Sequence, residues 1–82
     1  MYTVYAIYNP SASKIYIGQT RDLQQRLEQH NKGTSRGYTS RFLGEWELIY
    51  EESVATRPEA IEREKQLKSY RGREFVRKHI PG

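Results

Sequence analysis

The stretch "YTVYAIYN", residues 2–9, does most to restrict the fold. It is rich in β-branched and aromatic residues, so it reads as a strand. Its apolar side chains fall at both parities: Val4 and Ala6 on one face, Tyr5 and Ile7 on the other. Successive side chains of a strand point to opposite faces, so this strand must be covered on both. A chain of 82 residues has material for one domain, residues 1–82, around a small core. With no cysteine, disulfide staples and thiolate metal sites are excluded.

The rest of the chain supplies the covering layers. "PSAS" provides a turn, and "KIYIG" returns as a second strand, giving a hairpin. Ile15 and Ile17 point one way; Lys14, Tyr16 and Gly18 point the other, with Gly18 expected as a tight exit from the strand. A first helix is predicted from about Asp22 to Lys32, capped by Thr20 or Asp22, with Leu23, Leu27 and the edge of His30 as its apolar stripe. "GTSRGYTSRFLG", residues 33–44, is loop-like, with room for a short helical turn near Tyr38 to Phe42. "WELIYEESV" (46–54) alternates as a third strand with Trp46, Leu48 and Tyr50 on one face.

A second helix is predicted to begin near Arg57. Thr56 and Glu59 have capping-box spacing, and Pro58 suits a first turn. It carries Ala60, Ile61 and Leu67 on one face and stops by Gly72, and "REFVRKHI" (73–80) forms a last short helix. The fold class is α+β: a small three-stranded antiparallel sheet flanked by helices.

Charge narrows the partner. The formal net charge is +4, unevenly spread. Five basic residues face two acidic ones between Arg21 and Arg41, and eight face four from Arg57 to Lys78, whereas "EWELIYEE" carries four glutamates and no base. This division suits a polyanion on one face, with the acidic segment turned away. No apolar run approaches a membrane span, and the amino end lacks the basic region of a signal peptide, so a cytoplasmic protein with no membrane contact is expected.

Three residues, a phenol, a guanidinium and an imidazole, crowd the junction of second strand and first helix. Arg26 and His30, four apart, share a helix edge; Tyr16 precedes them on the strand, and Tyr5 lies in the first strand. An arginine fork can donate two hydrogen bonds to a phosphate. On the second helix, Glu64 falls within about 60° of Ala60, Ile61 and Leu67, in the middle of the expected inward face. A carboxylate buried there needs a cation or a metal, and Lys68, four residues on, is the ordinary candidate. No nucleophile-elbow serine, His-x-x-x-His pair or phosphate loop is present.

A tyrosine in a first strand, "YIG" in a second, Arg26 and His30 on a helix and a glutamate on a later helix form an ordered constellation. It resembles the GIY-YIG nuclease family over about residues 2–70. "YIGQTRDLQQRLEQHNKG" and "AIEREKQLKSY" are especially similar to its small, single-domain members. Thr3 stands where the family carries the glycine of "GIY", and Gln19 where the excision-repair relatives have a lysine. No asparagine follows the glutamate-bearing helix between Gly72 and Gly82.

The resemblance implies metal-dependent endonucleolytic hydrolysis of phosphodiester bonds in DNA, in repair or recombination. It assigns Glu64 to one Mg²⁺ or Mn²⁺ ion, Tyr16 to activation of the attacking water, Tyr5 and His30 to positioning or proton movement, and Arg26 to the phosphate. Specificity would come from a protein partner or a homodimer, or would be slight. The competing readings are a non-catalytic nucleic-acid-binding module of the same fold, and an adaptor whose basic helices dock an acidic protein.

Overall fold

The first strand, β1 (Tyr2–Asn9), is covered on both faces, as its two-parity pattern requires. In the computed structural model, which describes residues 1–32, 42 and 44–81, β1 is flanked by β2 (Lys14–Thr20) and β3 (Glu47–Val54). Both pairings are antiparallel, and the sheet order is β2-β1-β3. Val4 and Ala6 pack with Ile17 against Ala60, Leu67 and Val76 on one face. Tyr5 and Ile7 pack with Trp46, and with Tyr16, Leu23, Leu27 and Phe42, on the other. Each fully buried large apolar side chain contributes roughly 1.5–3 kcal/mol. The helices doing the covering are α1 (Leu23–Lys32) on the tyrosine face, and α2 (Arg57–Lys68) and α3 (Tyr70–Arg77) on the other. Among the described residues no helix is long and apolar enough to cross a membrane.

Local chemistry accounts for the connections. The hairpin closes at Asn9↔Lys14, and the buried Asn9 side chain accepts a hydrogen bond from the Ala12 amide at 3.1 Å. Asp22 caps α1, its Oδ1 accepting from the Gln25 amide at 3.1 Å. Thr56 caps α2, accepting from the Glu59 amide, with Pro58 in the first turn.

Four expectations need correction. The first concerns β3, which starts at Glu47 rather than Trp46. Trp46 is held outside the strand, its backbone N–H donating to Asn31 Oδ1 at 2.7 Å and its carbonyl accepting from Asn31 Nδ2 at 3.2 Å. Nor do Trp46, Leu48 and Tyr50 share one face: Ala6 pairs with Tyr50 but Ile7 with Leu48, leaving Ile49 as the extra residue of a bulge. The bulge sends Leu48 toward the α1 face and Tyr50 toward α3, where its ring meets Phe75 and His79 edge-on at 5.2 and 5.1 Å.

The second concerns the last helix, which runs Tyr70–Arg77 rather than 73–80, so that the break from α2 falls at Ser69. Ser69 is extended, its hydroxyl donating to the Gln66 carbonyl at 2.5 Å and accepting from the Gly72 amide at 3.2 Å. One hydroxyl thus ends one helix and starts the next. Gly72 lies inside α3, where a Cβ would collide with the Gln66 carbonyl and sit 2.5 Å from Leu67 Cα. Its lack of a side chain lets the two helices meet.

Third, Ile61 is 41% exposed, while Ala60 and Leu67 are buried. The inward face is centred between those two, about 110° from Ile61. Glu64 therefore occupies the flank of that face, with its side chain 23% exposed. Fourth, Gly18 is no strand exit: it lies within β2, opposite Tyr5. The segment expected as a loop with a turn near Tyr38 to Phe42 lies, Phe42 and Gly44 apart, outside the described residues.

Candidate active site

Strand alternation points Tyr5 and Tyr16 from neighbouring strands to the face that α1 covers. On α1, Leu23 and Leu27 anchor the helix to that face, and the same stripe carries His30 inward to 3% exposure. Tyr5 Oη lies 2.9 Å from His30 Nε2. The Tyr16 ring stands 6.3 Å from that of Tyr5 and 5.0 Å from that of His30, so the three rings surround one point. Gly18 makes this approach possible: a Cβ there would lie 2.9 Å from Tyr16 Cε2 and from Tyr5 Oη.

The electrostatics assign the protons. Burial pushes the Tyr5 phenol up to about 12, against the hydrogen bond from Arg26, which works the other way. Burial, reinforced by the Arg26 charge, pushes His30 down to about 4, so the imidazole is neutral at pH 7. A neutral His30 does not serve the helix dipole, which is the ordinary role of a histidine in a last turn. Arginine can only donate, so the Tyr5 oxygen is the acceptor toward Arg26, while the tautomer of His30 sets which of Tyr5 Oη and His30 Nε2 donates to the other.

Arg26 sits half-buried at the edge of this pair. Burial opposes its charge, but hydrogen bonding and attraction from Tyr5, then Tyr16, outweigh that and raise its pKa. Its Nη1 also donates to Gln29 Oε1 at 3.1 Å, a second hold on the guanidinium. Only its i,i+3 spacing from Arg26 in the sequence points to Gln29.

The fifth residue comes from α2. The Glu64 carboxylate is close enough for its charge to help raise the Tyr5 phenol. Its Oε2 accepts from Lys68 Nζ at 2.8 Å, the i,i+4 pair that the sequence offers. Among the described residues no three His, Cys, Asp or Glu side chains gather as a metal cluster. Glu64 is the carboxylate whose charge reaches Tyr5, and a single carboxylate would suit a hard ion that retains waters and takes substrate oxygens as further ligands.

Tyr5, Tyr16, Arg26 and His30 thus form one hydrogen-bonded and ring-packed group drawn from β1, β2 and α1, with the Glu64 charge reaching it from a fourth element, α2. The GIY-YIG catalytic domain model matches residues 1–77. A UPF0213 protein of Staphylococcus aureus strain Mu3 is 35% identical over 60 residues, which cover 73% of this chain and 72% of that one. Its counterpart in strain N315 aligns with the same figures. The solution structure of a UPF0213 protein from Bacillus halodurans superposes over 100% of this chain and 88% of its own, at a TM-score of 0.55 and 27% identity. The chain belongs to the GIY-YIG family, a nuclease-type family, and that membership points to nucleic acid as its partner.

Proposed function

We propose that this protein is a divalent-metal-dependent endonuclease that hydrolyses phosphodiester bonds in DNA. The observation that carries the reading is the convergence of Tyr16, Arg26 and the Tyr5–His30 pair on one point, with Glu64 within electrostatic reach. Arg26 is the phosphate clamp, because its fork is held on one side by Gln29 and the tyrosines. Negative charge grows on the phosphoryl oxygens during attack, and a preorganised donor acts most strongly on charge that develops.

Tyr16, half-buried and next to Arg26, takes the proton from the attacking water. Tyr5 does not share that task. It is fully buried with a pKa pushed up to about 12, so it stays protonated and holds Arg26 and His30 in place. Glu64 would hold Mg²⁺ or Mn²⁺, which supplies Lewis-acid stabilisation of the phosphoryl and leaving oxygens when bound.

The test is Glu64→Gln, which keeps shape and removes charge. Cleavage of duplex, flap, branched and single-stranded DNA, and of RNA, with Mg²⁺ and with Mn²⁺, should disappear, while DNA binding stays the same or tightens. If Glu64 serves only as the partner of Lys68, the substitution costs a few tenths of a kcal/mol, about 0.3–0.5 for such a pair, and leaves activity intact. Mutant cleavage at the wild-type rate would remove the metal site from the mechanism.

A further inference from the structure

The basic residues of the C-terminal third are not equivalent. Arg63 Nε donates to both carboxylate oxygens of Glu52 at 2.9 and 3.0 Å, so its charge is spent within the protein. Lys68, Arg73 and Arg77 face elsewhere: with Lys14 from the hairpin they line a cleft of about 680 Å³ between β2 and α3. Tyr8 and Tyr16 line it too, and no acidic side chain does. Arg73 is held in place by its Nε donating to the Lys68 carbonyl at 3.1 Å. Among the described residues, neither Arg73 nor Arg77 has a carboxylate partner.

Two residues tie this cleft to the candidate active site. Tyr16 belongs to both, and Lys68 reaches from the cleft to the Glu64 carboxylate at 2.8 Å. Lys14, Arg73 and Arg77, three cations with no carboxylate partner among the described residues, form with the Glu64-paired Lys68 a positive, partly enclosed surface, and low-dielectric walls focus such a field. A backbone that places successive phosphates along it would release counterions from each. Tyr8 adds an aromatic face on which a sugar or base can rest.

We infer that the β2–α3 cleft is the track for the substrate strand adjoining the scissile phosphate, gripped by Lys14, Arg73 and Arg77 and passing Lys68. This rests on the nuclease reading for the position of the scissile phosphate, but the track itself is a nucleic-acid-binding site that does not require cleavage. Binding energy is thereby concentrated on one side of Tyr16. Arg57 and Arg63, on α2, contribute little to it.

The test measures binding of a short fluorescein-labelled DNA by anisotropy over a series of salt concentrations. Arg77→Ala and Lys14→Ala, on separate elements and both at exposed positions, should each weaken binding roughly 10-fold and lower the salt slope by about one. Arg57→Ala, an equal change of charge at an exposed site outside the cleft, should leave affinity near that of wild type. Thermal melts check that the variants are folded. Equal losses at all three positions, or none at Arg77 and Lys14, would overturn the inference. Wild-type protein that binds through Arg77 and Lys14 but never cuts with Mg²⁺ or Mn²⁺ would leave the track standing and remove the nuclease reading.

Discussion

Replacing Gly18 by alanine tests how tightly the tyrosine cluster is built. The added Cβ would lie 2.9 Å from Tyr16 Cε2, 2.9 Å from Tyr5 Oη and 3.1 Å from Tyr5 Cζ, whereas ordinary contact begins near 3.4 Å. The rings must retreat by about 0.5–1 Å to reach contact distance. Tyr5 is fully buried and has nowhere to retreat without disturbing its partners. Such a shift takes the 2.9 Å Tyr5–His30 contact to the limit of a hydrogen bond. Overpacking costs about 1–3 kcal/mol, and a weakened buried hydrogen bond about 1 kcal/mol more. Against this stands a gain of roughly 0.5–1 kcal/mol from replacing glycine inside a strand. The net expectation is a loss of about 2 kcal/mol, or a melting temperature lower by about 10 °C in a domain of this size. Cleavage should fall by roughly 100-fold, because a displacement of about 1 Å misplaces Tyr16 and Arg26. Guanidinium and thermal melts measure the first effect, and single-turnover cleavage the second. A Gly18→Ala protein that melts with wild type and cuts at its rate would refute the claim that the missing side chain makes the cluster possible.

Other perturbations reach different parts of the molecule. His30, pushed down to about 4 from the usual 6.5, is a group whose depressed folded-state pKa gives stability present above pH 6.5 and lost as pH falls toward 4. About 3 kcal/mol should disappear between pH 7 and pH 4, with an imidazole NMR titration centred near 4. The loss should be smaller by that amount in His30→Gln, and a midpoint near 6.5 would contradict the buried neutral imidazole. Gly72→Ala sets a Cβ against the Gln66 carbonyl and the backbone of Leu67, which cannot move aside as a side chain can. It should cost at least ~3 kcal/mol by urea denaturation, and a neutral result would mean that α2 and α3 do not meet at Gly72. Arg26→Ala should lower the cleavage rate about 100- to 1000-fold while weakening DNA binding far less, as single-turnover rates and anisotropy will tell. Equal losses would make Arg26 an ordinary backbone contact.

The sequence by itself determined the architecture and named the candidate site residues. The two-parity pattern of β1 demands a layer on each face, and the Leu23–Leu27–His30 stripe demands that α1 be one of them. Capping chemistry placed the starts of α1 and α2, because a side chain bonding an amide two or three residues away is a local event. Likewise, the order Tyr5, Tyr16, Arg26, His30 and Glu64 is a property of the chain alone.

What the sequence could not give are features that depend on a distant backbone. A bulge at Ile49 is visible only in the register between β1 and β3, and it turned an apparent one-face strand into one that serves both layers. The break at Ser69 and the place of Gly72 inside α3 are decided where α2 and α3 pack. Gly18 looks like a turn residue until Tyr5 is placed opposite it. Proton placement is also tertiary: burial, more than any neighbouring residue in the chain, separates the Tyr5 and His30 pKa values and leaves Tyr16 as the half-exposed tyrosine of the cluster. Composition counts Arg63 and Arg77 alike, but the fold pairs the first with Glu52 and lays the second along an uncompensated cleft. Periodicity fixes which face a residue shares with its chain neighbours; only packing decides what stands across from it.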